Sequence, residues 1–210
     1  MHLPTSITNP AFNMRTNWAV SKAEKVCLEI GCNKGMMTER LAQNHYVVAG
    51  DLDPQILKTA KKNTAHRRQN TDFIRFNAAN LPFRDKSVDS VFMIDVLEHL
   101  ENPVDALKQA ERVAMKKILI DLPNYDFATT LYPNMLPEHF NEPSHKQRTN
   151  ARTLESWLGN ITFLKKTIHG SYFPMPLPLV AVSYLLEAFF KAGHVKPKRY
   201  HFQISCEVLL

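Results

Sequence analysis

The stretch Val26–Asp53, "VCLEIGCNKGMMTERLAQNHYVVAGDLD", decides the fold. It opens with the apolar run Lys25–Ile30, which has the length and composition of a buried strand and stops at a glycine. Gly31 and Gly35 bracket a short turn. The segment Met36–Asn44 then suits a helix, and Tyr46–Asp51 is a second buried strand ending in an acid. Gly31, Gly35 and Gly50 are three of only six glycines in the chain. A glycine directly after a strand permits a tight turn and leaves the backbone bare to a ligand. The N-terminus of the helix that follows presents unpaired N–H groups to a polar or anionic head group. Asp51 stands 20 positions after Gly31, the spacing at which a second-strand acid reaches ribose hydroxyls. A nicotinamide dinucleotide would call for G-x-G-x-x-G. Asn33 takes the place of the middle glycine, so a pyrophosphate is disfavoured.

The same alternation continues outward. Pro54–Asn63 begins with Pro at a first helical turn, with Asp53 as its cap. Asp72–Phe76 and Val88–Ile94 have strand patterns. Pro103–Val113 repeats the helix-start signal with Asn102 as cap, and Lys117–Asp121 is a fifth strand. Beyond it the spacing predicts a helix over Thr153–Leu158, a strand over Ile161–Ile168, an apolar helix over Leu179–Lys191 and a closing strand over Tyr200–Leu210. Alternating strands and helices imply an α/β fold with a parallel sheet covered on both faces. Ligands of such sheets bind outside the carboxyl ends of the strands. The chemistry is therefore expected at Glu29–Gly35, Asp51, Asn77, Asp95 and Asp121–Asn124.

Composition narrows the function classes. The chain has 210 residues, 44% of them hydrophobic, and 26 Lys and Arg against 20 Asp and Glu. The basic residues are scattered in short runs rather than gathered with aromatics, so nucleic-acid binding is disfavoured. Three cysteines without a C-x-x-C pair give no disulfide framework, and a reducing, cytoplasmic location is expected. The first residues lack the pattern of a signal peptide. The apolar stretch "YFPMPLPLVAVSYLLEAFF" carries three prolines and Glu187, which argue against a spanning helix.

Taken together, these motifs resemble those of the class I S-adenosylmethionine-dependent methyltransferases, of the methyltransferase type 11 kind. "LEIGCNKG" is similar to their first motif, with Asn33 where glycine is commoner, and "VVAGDLDPQIL" to their second. "NAANLPFRDKSVDSVFMIDVLEHLENP" is similar to a third block, with Asn77 replacing the usual Asp. "ILIDLPN" resembles the end of the fifth strand. The resemblance covers residues 25–124. It implies a Rossmann-like, seven-stranded, mostly parallel sheet with helices on both faces and the last strand antiparallel. It implies S-adenosyl-L-methionine as cofactor. In that reading Glu29 supports the amine of the methionine part, and Gly31, Cys32, Asn33 and Gly35 line that part. Asp51 binds ribose, Leu52 packs on adenine, Asn77 meets the exocyclic adenine amine, Ala78 offers a backbone N–H, and Asp95 sits near the sulfonium.

His99, in "VLEHL", and His145, in "SHKQ", are the candidate catalytic bases, with Tyr125 shaping the pocket. His139 and His145 flank "FNEPS" without a recognisable zinc spacing, so no metal site is expected. The expected organisation is one domain over 1–210. It has an N-terminal segment 1–24, a lid-like loop 122–150 with four prolines, and an apolar helix 178–193 that covers the lid or, through 178–199, touches a membrane surface. The expected activity is methyl transfer to a small-molecule or lipid-like acceptor. The alternatives are an RNA methyltransferase and a catalytically silent cofactor-binding protein.

Overall fold

The structure, a computed structural model, describes residues 10–126, 142–171 and 203–210, with residues 10–14 and 171 as backbone only. Of the expected lid, residues 127–141 lie outside the described residues, and so does the whole apolar helix 178–193 with its membrane contact.

The described elements run α1 (Pro10–Ser21), β1 (Val26–Ile30), α2 (Met36–Leu41), β2 (Tyr46–Asp51), α3 (Pro54–Asn63), β3 (Thr71–Arg75) and β4 (Val88–Ile94). Then come α4 (Pro103–Val113), β5 (Ala114–Pro123), α5 (Ala151–Leu158), β6 (Lys165–Ser171) and β7 (Gln203–Leu209). The sheet has seven strands in the order β3-β2-β1-β4-β5-β7-β6. The first five are parallel, and β7 lies antiparallel between β5 and β6. This is the Rossmann-like α/β sheet with an antiparallel last strand that the motifs imply.

Alternation along the strands makes two cores. Leu28 and Ile30 of β1, Val91 and Met93 of β4, and Ile118 and Ile120 of β5 join Leu107 of α4 and Leu154 of α5 on one face. Cys27, Phe92 and Leu119 point the other way, with Leu41 of α2 and Ala60 of α3. Both faces are thus covered, which is why the central strands read as continuous apolar runs instead of alternating ones.

Several boundaries move. β5 extends to Ala114–Pro123 because Lys116 and Lys117 pair with Glu24, Asp89 and Glu207 at the strand's start. α2 ends at Leu41, β6 starts at Lys165 rather than Ile161, and α5 begins at Ala151, where the Asn150 side chain accepts from Thr153 N. Asp53 caps α3 as expected, accepting from Gln55 N and Ile56 N. Asn102 does not cap α4 with its side chain; its amide donates to Asp105 Oδ2 at 2.7 Å instead. The segment 1–24 was given no element by the sequence, yet it contains α1, whose apolar residues do not gather on one helical face.

Register places the site. Ile30 is level with Gly50 and Met93, and Ile94 with Asp121, so the carboxyl ends of β1, β2, β4 and β5 form one edge. The chain turns back at β1, with β2 and β3 on one side and β4 and β5 on the other. Such a reversal opens a crevice at the carboxyl ends.

Candidate active site

Beyond β1 the chain needs left-handed backbone three times, at Gly31 (φ 73°), Asn33 (φ 46°) and Gly35 (φ 82°). Glycine takes this conformation freely, and Asn tolerates it better than most residues. Asn33 therefore keeps the turn's shape where the family more often has glycine. The N–H groups of Gly31 and Cys32 both donate to Gly50 O, at 2.8 and 2.9 Å, which ties the turn to β2. A Cβ on Gly31 would fall 2.7 Å from Val96 Cγ2, so the bare backbone here is forced by packing. A Cβ on Gly50 would enter the Phe76 ring. Gly35 caps α2 against Ala60 and Thr64 of the next helical segment.

Two acids stand on either side of this turn. Glu29 is buried, and Thr38 Oγ1 donates to its Oε2 at 2.6 Å. Burial pushes the Glu29 carboxyl up to about 8, the Thr38 hydrogen bond pulls the other way, and the charge of Asp51 adds to the rise. Asp51 accepts from Asn33 N at 3.2 Å and from Asp53 N at 3.1 Å, one bond to each oxygen. Each carboxylate oxygen can accept a further bond, so the pair stays open to ribose hydroxyls. Leu52, beside it, is an exposed large apolar residue at 60%, a surface that an aromatic base would cover. Asn77 is exposed, with its Oδ1 accepting from Ala79 N at 3.0 Å, and Ala78 is buried. These observations fit an adenosyl group over β2 and β3 and an amino-acid head over β1.

A cavity of about 370 Å³ opens between the turn and the ends of β4 and β5. Glu29, Gly31, Cys32 and Asn33 line one wall, and Asp95, His99 and His145 another. Gly35, Asp51, Leu52, Asn77 and Ala78 are not among its lining residues; they form the adjoining edge. Asp95 also has left-handed backbone (φ 52°), and its N–H donates to Asp121 O at 2.9 Å.

His99 and His145, 46 positions apart in sequence, are brought together with their rings 4.7 Å apart, centroid to centroid. Glu98 O accepts from Lys146 N at 2.8 Å and from Gln147 N at 3.0 Å, which draws the segment around His145 onto the turn Leu97–His99. Ser144 O and Oγ lie 3.2 and 3.0 Å from His99 Nδ1. Tyr125 Oη lies 2.8 Å from His145 Nδ1. The three polar groups singled out in the sequence are therefore brought together, with His99 and His145 lining the cavity and Tyr125 behind them.

Sequence reasoning missed Arg15 and Glu98. Arg15 Nη1 pairs with Asp95 Oδ2 and lies 3.7 Å from Asp121 Oδ1, and its side chain also faces the cavity. Burial and the neighbouring charge of Asp95 push the buried Asp121 carboxyl up to about 7, against the pull of Arg15. Nothing in the pattern around Arg15 marks it. Glu98 had a signal, a charge among apolar neighbours in "DVLEHL". Burial, helped by Asp95, holds its carboxyl well above the usual range.

Residues 28–117 match the methyltransferase domain family. Over 87 residues the chain is 31% identical to a ubiquinone biosynthesis O-methyltransferase of Saccharophagus degradans, covering 40% of this chain and 37% of that protein. Over 95 residues it is 35% identical to a demethylmenaquinone methyltransferase of Tropheryma whipplei, covering 45% and 38%. The matched stretch thus spans well under half of each relative. The solved structure of an S-adenosylmethionine-dependent methyltransferase from Archaeoglobus fulgidus superposes with a TM-score of 0.64 at 17% identity, covering 94% of this chain and 91% of that one. With the sheet order and the glycine turn, these likenesses make residues 28–117 a match to the methyltransferase domain family, on a fold similar to that of the S-adenosylmethionine-dependent methyltransferases.

Proposed function

We propose that this chain, as a single domain over residues 1–210, transfers a methyl group from S-adenosylmethionine to a small aromatic acceptor of quinone or quinol type. The observation that carries the reading is the cavity beside the glycine turn, walled on its far side by Asp95, His99 and His145. S-adenosylmethionine supplies an electrophilic methyl group on a sulfonium. The chain supplies alignment, which is worth up to roughly 7–11 kcal/mol in favourable intramolecular cases. Glu29 and the turn Gly31–Asn33 hold the amino-acid head, Gly35 lets α2 begin close behind it, Asp51 holds the ribose, and Leu52, Asn77 and Ala78 frame the adenine. Asp95 faces the reacting centre. His99 or His145 takes the proton of an acceptor hydroxyl, with Tyr125 fixing the orientation of His145. The acceptor class rests on the names of the two relatives and on the cavity's mixture of apolar and polar wall. Among the described residues no helix is long and apolar enough to cross a membrane.

The test is turnover with a panel of polyhydroxylated aromatics and quinols bearing short or long apolar tails, with transfer RNA for comparison. Formation of S-adenosylhomocysteine and mass spectrometry of the products are followed. Methylated aromatic product supports the reading. Methylation of RNA alone, or binding of S-adenosylhomocysteine without turnover on any acceptor, overturns it in favour of an RNA enzyme or a silent binder.

A further inference from the structure

A buried group behind the cavity wall is not used by methyl-group alignment. Glu98 is fully buried, yet neither of its carboxylate oxygens has a hydrogen-bond partner. A buried carboxyl group left unpaired is unfavourable unless a partner arrives. The charged groups around it are Asp95 and Asp121, which repel its charge, and Arg15, which is already paired with Asp95. The partner it lacks is a cation.

Two further donors converge on it. One ligand atom each from Glu98, His99 and His145 lie within 4.8 Å of one another. In a tetrahedral set bound at ~2.0–2.2 Å the ligand atoms lie about 3.3–3.6 Å apart, so side-chain rotation that closes the widest separation by up to about 1.5 Å completes the set. His99 Nδ1 faces Ser144 O at 3.2 Å and Ser144 Oγ at 3.0 Å; the tautomer that donates Nδ1–H to the carbonyl leaves Nε2 with its lone pair for an ion. A backbone carbonyl that orients a metal-binding histidine in this way is a recurrent supporting contact. Tyr125 Oη at His145 Nδ1 can do the same for the second imidazole.

We propose that Glu98, His99 and His145 form a divalent-cation site at the acceptor end of the cavity. Two imidazole nitrogens and one carboxylate suit a first-row transition ion such as Zn²⁺ or Mn²⁺ better than Mg²⁺ or Ca²⁺, which favour all-oxygen sites. Three protein ligands leave coordination positions open toward the cavity. An acceptor oxygen bound there would lose its proton more readily, so that His99 and His145 act through the ion instead of as free bases. This consequence rests on the proposed methyl transfer; the binding site itself does not. The absence of a zinc-like spacing in the sequence conceals the site because His145 comes from a distant segment held by the carbonyl of Glu98.

The experiment is a Co²⁺ titration of the untagged full chain followed by visible absorption, with Zn²⁺ and Mn²⁺ as competitors and no donor or acceptor present. The expected result is one Co²⁺ per chain, displaced by Zn²⁺. Glu98→Gln, His99→Ala and His145→Ala should each weaken binding at least about tenfold, while His169→Ala, on the exposed part of β6, leaves it unchanged. Melting curves and S-adenosylhomocysteine binding check that each variant is folded. His99 and His145 are only partly buried, so their variants carry the test if Glu98→Gln does not fold. Absence of stoichiometric Co²⁺ binding overturns the proposal, and so does binding that survives both histidine substitutions. In either case intact S-adenosylhomocysteine binding would show that the methyltransferase reading stands apart from it.

Discussion

Arg15, on a helix that precedes the first strand, is ion-paired with Asp95 at the end of β4, 80 positions away. The same guanidinium lies 3.7 Å from the fully buried Asp121, whose Oδ2 also accepts from Ser205 Oγ at 2.5 Å. One cation from α1 thus offsets two acids of the sheet edge. Removing one partner of a buried pair costs ~3–5 kcal/mol, because the remaining charge is stranded. Arg15→Ala is expected to destabilise the chain by about 3 kcal/mol in urea unfolding, and Asp95→Asn in that background to recover part of the loss. If Arg15→Ala unfolds at the wild-type urea concentration, α1 does not hold the site together.

Gly31 gives the second prediction. Its φ of 73° and the 2.7 Å gap to Val96 Cγ2 both act against a side chain. Gly31→Ala should lower stability by about 1–3 kcal/mol from backbone strain, with a further loss from the clash. Val96→Ala in the same chain should relieve the clash and leave the strain. Equal stabilities for the single and double variants would show that the contact with Val96 is not the constraint.

Glu29 makes binding depend on pH. Its carboxyl titrates at about 8 in the folded chain against 4.5 for an unperturbed group. Between those values the folded chain holds a proton that the unfolded chain has lost, so this group's contribution to stability falls as pH rises through the window. An ammonium placed beside Glu29 reverses the preference and expels the proton. Affinity for S-adenosylhomocysteine should therefore climb as pH approaches about 8 and then level off. Calorimetry near pH 7 in two buffers of different ionisation enthalpy should show proton release, and Glu29→Gln should abolish it. Equal proton release in wild type and Glu29→Gln would remove Glu29 from the amine site.

The parts legible in the sequence were those with local signals. β2, β4, α3 and α4 carry their boundaries in apolar runs and Pro starts, and the structure places them at the same residues. The glycine turn, Asp51 and Asp95 follow from spacing and strand ends. What local pattern could not show depends on distant contacts. α1 lacks an amphipathic stripe, so Arg15 carried no mark. Gly50 reads as an ordinary strand residue until the Phe76 ring is found against it. Glu98 and His145 meet only because backbone bonds draw one segment under another.

The central claim is that this chain binds S-adenosylmethionine through the β1 turn and Asp51. Titration calorimetry with S-adenosylhomocysteine, on wild type and Asp51→Ala, tests it most directly. The carboxylate of Asp51 accepts from Asn33 N and Asp53 N and would accept from the ribose, and hydrogen bonds to a charged group are each worth ~1.5–3 kcal/mol. The account predicts one binding site in wild type and an affinity about 10–100-fold lower in Asp51→Ala, the range that this energy implies. Wild-type protein that does not bind, or an Asp51→Ala variant that binds as tightly as wild type, would contradict it.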